Sequence, residues 1–118
     1  MQYMLLIYGD ERVWTKLPPG QLNSMYAEYM KYSQALLDAG VMRGGSELKP
    51  TSAATTVRVR NGKVTTVDGP FAETKEQLGG YYIIEVPNLE KALDWAARCP
   101  GALTGSMEVR PLPDRPQG

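Results

Sequence analysis

The sequence predicts an α+β fold of the ferredoxin-like type, an antiparallel sheet with two helices on one of its faces. Three observations predict it. Two short runs, YMLLIY and YYIIEV, have the apolar composition of strands, and one long stretch repeats its apolar residues at helical spacing. An Asn-Gly pair separates two segments that alternate apolar and polar residues, as in a hairpin.

The first half of the chain begins with a strand and a helix. YMLLIY, residues 3–8, is apolar on both faces, which is typical of a strand covered on both sides. GDERVWTKLPPG is predicted to be a loop. A helix follows from about Gln21 to Ala39, with Gly40 placed to end it. We interpret its apolar stripe as a core face rather than a cofactor site, with Leu22, Met25, Tyr26, Tyr29, Met30, Leu36 and Leu37.

A hairpin and two further strands complete the predicted sheet. VMRGGSELKP is predicted to be a strand interrupted at Gly44–Gly45. In TTVRVRNGKVTTVD a two-residue turn pairs Val59 with Val64, Val57 with Thr66 and Thr55 with Asp68. YYIIEV and GSMEVRPL are the remaining strands, on either side of a helix in PNLEKALDWAARCP that Asn88 begins. Its predicted buried stripe consists of Leu89, Ala92, Leu93 and Ala96.

Length and composition indicate one domain, residues 1–112, followed by a flexible Pro-rich tail, residues 113–118. Thirteen basic and thirteen acidic residues cancel, which argues against nucleic acid or an anionic membrane as a partner. The single cysteine excludes an intrachain disulfide, the N-terminus does not resemble a signal peptide, and no segment is apolar enough to span a bilayer. We therefore expect a cytoplasmic protein.

The sequence contains no histidine, which limits its chemistry. Histidine cannot serve as acid, base, partner of a nucleophile or metal ligand. We predict no cofactor and no metal, although a carboxylate-rich site for a hard cation stays open. Any catalytic base must be a carboxylate.

The predicted sheet has an apolar face that two helices cannot cover. Strands that begin YMLLIY and YYIIEV are apolar on both sides, and both helices are expected on the same side. Self-association gives each face a matching surface. We predict a homodimer joined through the sheet faces, barrel-like in form.

The segment DGPFAETKEQ holds the candidate catalytic residues, Asp68 and Glu73. Asp68 ends an apolar strand face, where it could line a pocket and act as a base, or cap the turn made by Gly69 and Pro70. Glu73 and Lys75 could hold a polar ligand, or belong to a solvated charge cluster. Gly79–Gly80 precedes a strand and lacks phosphate-loop spacing, so a bulge or a close backbone approach is predicted there.

Two tyrosines and two arginines are candidates for ligand binding. Tyr8, Tyr81, Arg43 and Arg110 could project between two sheets, where hydroxyls and a guanidinium suit a carboxylate- or phosphate-bearing ligand. The alternative is that they pack in an interface with polar tips exposed.

Nearly the whole chain resembles a known family. The segment YMLLIYGDE, the run from TTVRVRNGKVTTVDGPFAETKEQLGGYYIIEV to PNLEKALDWAARCP, and GSMEVRPL resemble YCII-related proteins of the DGPF-domain type. The resemblance implies a dimeric α+β barrel. Related YCII proteins carry a His–Asp pair for which enzymatic activity has been proposed, but this chain has no histidine to carry over. DGPF-type proteins encoded beside extracytoplasmic-function sigma factors imply a regulatory link.

Two functions from different classes follow from these observations. The first is a small homodimeric protein that binds a small polar ligand in a cleft near Asp68, with acid/base chemistry left open. The second is a regulatory module without chemistry that contacts a sigma factor. A ligand binder should have a concave pocket where Asp68, Glu73 and other polar groups converge. A regulatory module should have an exposed apolar patch away from that corner.

Overall fold

The structure, a computed structural model, describes residues 1–114 and has an α+β architecture with two antiparallel sheets and four helices. The bounds of its strands and helices, in chain order, are β1 Gln2–Gly9, α1 Glu11–Trp14, α2 Pro19–Asp38, β2 Met42–Glu47, β3 Thr55–Arg60, β4 Lys63–Asp68, β5 Gln77–Glu85, α3 Leu89–Arg98, α4 Gly101–Thr104 and β6 Ser106–Pro111. A single 3₁₀ turn, Thr51–Ala53, precedes β3. Residues 115–118, most of the predicted tail, lie outside the described residues.

The larger sheet has four strands in the order β2-β5-β1-β6, and all its neighbours are antiparallel. β1 is central: Leu5 pairs with Tyr82 on one side and with Val109 on the other. The predicted strands in YMLLIY, YYIIEV and GSMEVRPL are therefore confirmed, and the first two are the inner pair of the sheet.

One face of this sheet carries the core. Buried side chains of β1 and β5 pack against buried side chains of α2 and α3, so both long helices lie on the same face, as predicted. The buried cluster contains Tyr3, Leu5, Tyr32, Leu36, Tyr82, Ile84, Val86, Ala92, Ala96 and Cys99. Within it, the Tyr32 ring meets Tyr82 edge-on at 5.3 Å and its hydroxyl donates to Trp95 O at 2.6 Å.

The predicted helix stripes are only partly buried. On α2, Met30 and Leu37 are exposed, whereas Tyr32, which was not predicted, is buried. On α3, Ala92 and Ala96 are buried, but Leu89 and Leu93 are not. The broad apolar composition of α2 hid which positions face the sheet, because apolar residues at helical spacing occur on more than one side of that helix.

The hairpin β3–β4 forms a sheet of its own. Its register is the predicted one: Val59 pairs with Val64 and Thr55 with Asp68, across a turn in which Asn61 and Gly62 have φ of 52° and 74°. All of β4 and most of β3 are exposed, including Val64 at 69%. Within residues 1–114, nothing covers either face of these strands as the core helices cover β1.

Two short helices were not predicted. The predicted loop GDERVWTKLPPG contains α1, which begins because the Asp10 carboxylate accepts a hydrogen bond from Arg12 N at 2.9 Å.

The glycines predicted to allow close approach do so. A Cβ on Gly45 would lie 2.8 Å from Tyr81 O, and one on Gly80 would lie 3.0 Å from Ser46 O.

A β-bulge confirms the other prediction for the double glycine of β5. Ile7 pairs with Gly80 and Tyr8 with Leu78, so Gly79 has no partner in the ladder with β1. A second irregularity in β2 falls between Met42 and Gly44. Among the described residues, no helix is long and apolar enough to cross a membrane.

Candidate functional site

A cavity of about 310 Å³ lies between α2 and the helix-covered face of the sheet. Side chains and backbone from β1, α1, α2, β2, β5 and α4 surround it, so elements far apart in the sequence form it together. Its lining consists of Ile7, Tyr8, Gly9, Trp14, Met25, Tyr26, Tyr29, Ser33, Met42, Gly45, Ser46, Glu47, Gly79, Gly80, Tyr81, Tyr82, Gly101 and Thr104.

Aromatic residues and glycines make up most of this lining. Five tyrosines and Trp14 contribute, and the five glycines leave space that side chains would otherwise occupy. Trp14 lies against the backbone of two strands: a Cβ on Gly9 would be 3.6 Å from its Cδ1, and one on Gly79 would be 3.9 Å from its Cζ2. The bulge at Gly79 and the one-turn helix α1 together position this indole.

Five of the polar side chains in this lining are Tyr26, Tyr29, Ser33, Glu47 and Tyr82. The Tyr26 hydroxyl donates to Glu47 Oε1 at 2.8 Å, and the hydroxyls of Ser33 and Tyr82 share a hydrogen bond of 2.7 Å. Within the described part of the chain, the Tyr29 hydroxyl has no hydrogen-bond partner. It lies 2.8 Å from where a Cβ on Gly101 would stand, so a glycine there leaves room for it.

Burial disfavours the ionised form of three tyrosines in or beside the cavity. Removal from water raises the pKa of Tyr29 and of Tyr32 well above the usual value near 10. Burial also raises the pKa of Tyr82, which its hydrogen bond with Ser33 partly offsets. At neutral pH these phenols are therefore hydrogen-bond donors and acceptors rather than anions.

Among the described residues that line the cavity, Glu47 is the one charged side chain. It lies at the end of β2, is exposed, and is held by the Tyr26 hydroxyl. The cavity thus combines an apolar, aromatic interior with an acidic group at its edge and neutral hydroxyls inside, an arrangement typical of small-molecule sites.

A second concavity, the corner cleft, is polar. It has a volume of about 450 Å³ and is lined by Arg12, Thr51, Pro70, Ala72, Glu73, Thr74, Lys75 and Gln77. Two of the predicted site residues, Glu73 and Lys75, come together here, and both are exposed. The cleft can offer a ligand both signs of charge, but it is open to solvent, which weakens each contact.

A hydrogen-bond network holds the corner cleft in shape. The Glu11 carboxylate accepts from Thr51 N at 2.6 Å and from Thr51 Oγ1 at 2.7 Å, while Glu11 N donates to Gln77 Oε1 at 2.9 Å. Gln77 Nε2 also donates to Thr74 O at 2.6 Å. Helix α1, the 3₁₀ turn and the start of β5 are thereby joined.

Asp68 lies at the end of β4, opposite Thr55, and does not line the corner cleft. It is exposed. The turn after it is held by other groups, since Gly69 N donates to Ala54 O at 2.7 Å and Thr56 Oγ1 donates to Gly69 O at 2.9 Å. Within residues 1–114, no hydrogen bond or ion pair engages the Asp68 carboxylate.

The four candidate ligand-binding residues divide into two pairs. Tyr8 and Tyr81 both line the aromatic cavity. Arg43 Nη1 donates to Gly40 O and to Met42 O, both at 3.0 Å, beyond the end of α2. Arg110 is paired with Glu108 on the same strand. Neither guanidinium lines either concavity. Arg110 nevertheless lies near Tyr8, which contributes to its raised pKa after Glu108.

The residues that make the cavity most distinctive are Trp14, Tyr29 and Glu47, none of which was predicted to belong to a site. The helical spacing of α2 assigned Tyr29 to the core face, and Glu47 was predicted only to lie within the strand segment VMRGGSELKP. An Asp at position 10 followed by a short amphipathic turn was the available signal for α1 and hence for Trp14.

Within residues 1–114, no three His, Cys, Asp or Glu side chains are grouped to hold a metal ion.

Comparison with known proteins places this architecture in a family. A sequence model of the YCII-related domain matches residues 1–114. The chain is also similar to an uncharacterised protein of Rhizobium meliloti (strain 1021), with 40% identity over 114 residues that cover 95% of this chain and 92% of that protein.

Proposed function

The chain belongs to the YCII-related domain family, and we propose that it is a homodimeric protein that binds a small molecule with an apolar ring in the aromatic cavity. The observation that carries this proposal is the cavity itself. Its volume of about 310 Å³, its aromatic lining and its few convergent hydroxyls are properties of ligand sites rather than of packing defects. The unpaired Tyr29 hydroxyl offers such a ligand a hydrogen bond.

The two tryptophans allow a direct test of where a ligand binds. Trp14 lines the cavity, whereas Trp95 packs on α3 beneath Arg98, 4.2 Å from its guanidinium. Titration with 2-phenylethanol, a neutral probe with one ring and one hydroxyl, should change the fluorescence of the protein. Trp14→Phe should abolish this change and Trp95→Phe should keep it. A saturable change that needs Trp95 instead would place the ligand elsewhere, and no binding by calorimetry would refute the proposal for such probes.

The homodimer is supported by the surface that this chain leaves uncovered. The chain exposes 8333 Å², whereas a compact monomer of 13.0 kDa exposes roughly 6,300 Å². On the sheet face opposite the helices, Met4, Leu6 and Ile83 are only partly buried. Two such faces packed together would bury them and give the barrel-like α+β dimer, and the strand order β2-β5-β1-β6 supports a ferredoxin-like plan.

The dimer is tested by a charge on that face. Ile83→Glu should convert a dimer of twice 13.0 kDa into a monomer in sedimentation velocity, because it buries an unpaired carboxylate between the sheets. Leu103→Glu is the matched control, since Leu103 is 88% exposed on α4, away from that face. A wild-type protein that is monomeric at micromolar concentration would contradict the proposal.

A polar ligand in the corner cleft is the second candidate function, favoured by the presence of Glu73, Lys75 and Arg12 around one concavity. Glu73 would act as the base on a ligand bound in the cleft, and Asp68, which does not line it, stays a candidate from the sequence alone. A thermal-shift screen with metabolites and divalent cations tests it. The shift should be lost in Glu73→Ala, and a shift that survives Asp68→Ala unchanged would remove Asp68 from the site.

A regulatory module that contacts an extracytoplasmic-function sigma factor is the alternative class. The exposed valines of the hairpin and Phe71, which is 78% exposed, are the apolar patch that such a module would use. Calorimetry with a purified sigma factor of this class tests it, and Val59→Glu should abolish binding.

Three further expectations stay predictions: the cytoplasmic location, the single domain over residues 1–112, and the absence of nucleic acid and membrane partners.

A further inference from the structure

We infer that the aromatic cavity selects a protonated amine: a small organic cation with one aromatic ring, whose ammonium group binds Glu47 at the cavity edge. This inference rests on the proposed function, because it names the class of ligand that the same cavity would bind. It reverses the expectation of an anionic ligand that the arginines and tyrosines of the sequence suggested.

The charges around the cavity favour a cation. Of the described residues that line it, one is acidic and none is basic. The two arginines expected to recognise an anion are engaged elsewhere, Arg43 with backbone carbonyls beyond α2 and Arg110 with Glu108. A carboxylate or phosphate would enter without a counter-charge and beside a carboxylate, which disfavours it.

The aromatic lining of the cavity also favours a cationic ligand. The faces of Tyr and Trp rings carry negative charge density, and several such rings around one space attract an ammonium group. Trp14, Tyr26 and Tyr29 come from two different helices and lie around the space with Tyr82 of β5. The same rings stack on the aromatic body of a ligand, so both halves of an arylalkylamine find suitable contacts.

Glu47 is oriented for this role. Its Oε1 accepts from the Tyr26 hydroxyl at 2.8 Å, which fixes the carboxylate at the edge of the cavity. Burial is the main cause of the raised pKa of Tyr29, followed by the neighbouring Cys99 and Tyr82. The negative charge of Glu47 contributes last, so this charge acts on a group inside the cavity. A ligand whose ammonium group donates to Glu47 would place its remaining atoms in the cavity with the Tyr29 hydroxyl, which has no partner among residues 1–114.

Three ligands of matched shape test the inference: 2-phenylethylamine, 2-phenylethanol and phenylacetate, measured by calorimetry at pH 7. The amine should bind at least about fivefold more tightly than the alcohol, because a charge-assisted hydrogen bond replaces a neutral one. The carboxylate should bind least. Raising the salt concentration should weaken the amine and leave the alcohol unchanged.

The matched variants are Glu47→Gln and Glu28→Gln. Glu47→Gln should reduce affinity for the amine about tenfold and change affinity for the alcohol less than twofold. Glu28→Gln removes an exposed acid of α2 that pairs with Lys31 outside the cavity, and it should change neither. If Glu47→Gln does not fold, the salt dependence of the wild type decides the same question.

The outcomes separate this inference from the function on which it rests. Binding of the alcohol as tight as that of the amine would overturn the inference and leave a neutral-ligand site. Phenylacetate as the tightest ligand would overturn it and indicate a basic group in the site. If none of the three ligands binds, the inference and the proposed binding of small ring compounds both fail.

Discussion

The helix-covered sheet face and the hairpin β3–β4 are built in opposite ways. Sheet and helices bury Leu5, Leu36 and Ile84 completely and surround a cavity with residues from six elements. The hairpin has a regular register and an apolar stripe, yet Val57 and Val59 are more than half exposed. Turn chemistry thus decides how two strands pair, whereas long-range packing decides what their faces touch.

The largest difference expected between the two regions concerns truncation of an apolar side chain. Leu36→Ala should lower the free energy of unfolding by about 2–5 kcal/mol, because it leaves a cavity in the packed core. Val59→Ala should cost less than about 0.5 kcal/mol in dilute solution, since its side chain already contacts water. Urea unfolding measures both values.

A second subunit that covered the hairpin would remove this difference between the two regions. Val59→Ala would then cost more than about 1 kcal/mol at high protein concentration and less on dilution, because unfolding would be linked to dissociation. The same small loss in free energy of unfolding for Val59→Ala at all protein concentrations would indicate that the hairpin faces solvent.

A Cβ added at a glycine beside the cavity should destabilise the protein more than a Cβ added at a glycine with no close neighbours. A Cβ on Gly101 would lie 2.7 Å from Ile7 Cγ2 and 2.8 Å from Tyr29 Oη. Gly101→Ala should therefore lower the free energy of unfolding by about 1–3 kcal/mol through overpacking, and should weaken 2-phenylethanol binding. Gly20→Ala is the control: no atom lies within 4 Å of its added Cβ, and it should not destabilise α2. Equal losses for the two variants would contradict the assigned packing of α4.

A substitution at the glycine of the hairpin turn should act only through the backbone conformation of that residue. Gly62 has φ of 74° and no atom within 4 Å of an added Cβ. Gly62→Ala should thus cost about 1 kcal/mol from left-handed backbone strain, without any change in the cavity. Ligand binding at the wild-type level, measured beside urea unfolding, would confirm that the two regions are independent. A weakened ligand would show that the hairpin and the cavity are coupled.

Alkaline pH should act on the core and not on the hairpin, whose strands contain no tyrosine. Burial raises the folded-state pKa of Tyr29, Tyr32 and Tyr82 above the unfolded value near 10. Their neutral forms favour folding fully below about pH 10, and this contribution is lost as the pH rises further.

The melting temperature should accordingly fall above about pH 10, and phenolate absorbance should show late-titrating tyrosines. Tyr29→Phe should make this fall less steep, because it removes one buried phenol that has no hydrogen-bond partner among residues 1–114. An unchanged pH profile in Tyr29→Phe would contradict its burial.

Much of the sheet was predictable because its signals are local. The apolar runs identified β1 and β5, Asn61–Gly62 specified the hairpin register, and Asn88 identified the start of α3, where its Oδ1 accepts from Lys91 N. The double glycine was correctly interpreted as a bulge and a close approach. Each of these features depends on a few adjacent residues whose backbone preferences are strong.

The cavity was not predictable, because no local pattern records it. Trp14, Tyr29 and Glu47 come from three elements, and only tertiary packing brings them together. The corner segment showed the converse. Glu73 and Lys75 do share a cleft, but Asp68, five residues before Glu73, ends β4 without lining it. Nearness along the chain was a poor guide to nearness in space.

The central position of β1 has a consequence for how the protein folds. β1 precedes both of its neighbours in the chain: β5 begins at Gln77 and β6 at Ser106, so both ladders join distant parts of the chain. Such pairings close long loops and slow the folding reaction. During synthesis both edges of YMLLIY therefore stay unpaired until most of the chain has been made. Aggregation of incomplete chains, rather than instability of the finished protein, is the risk that this topology creates in the cell.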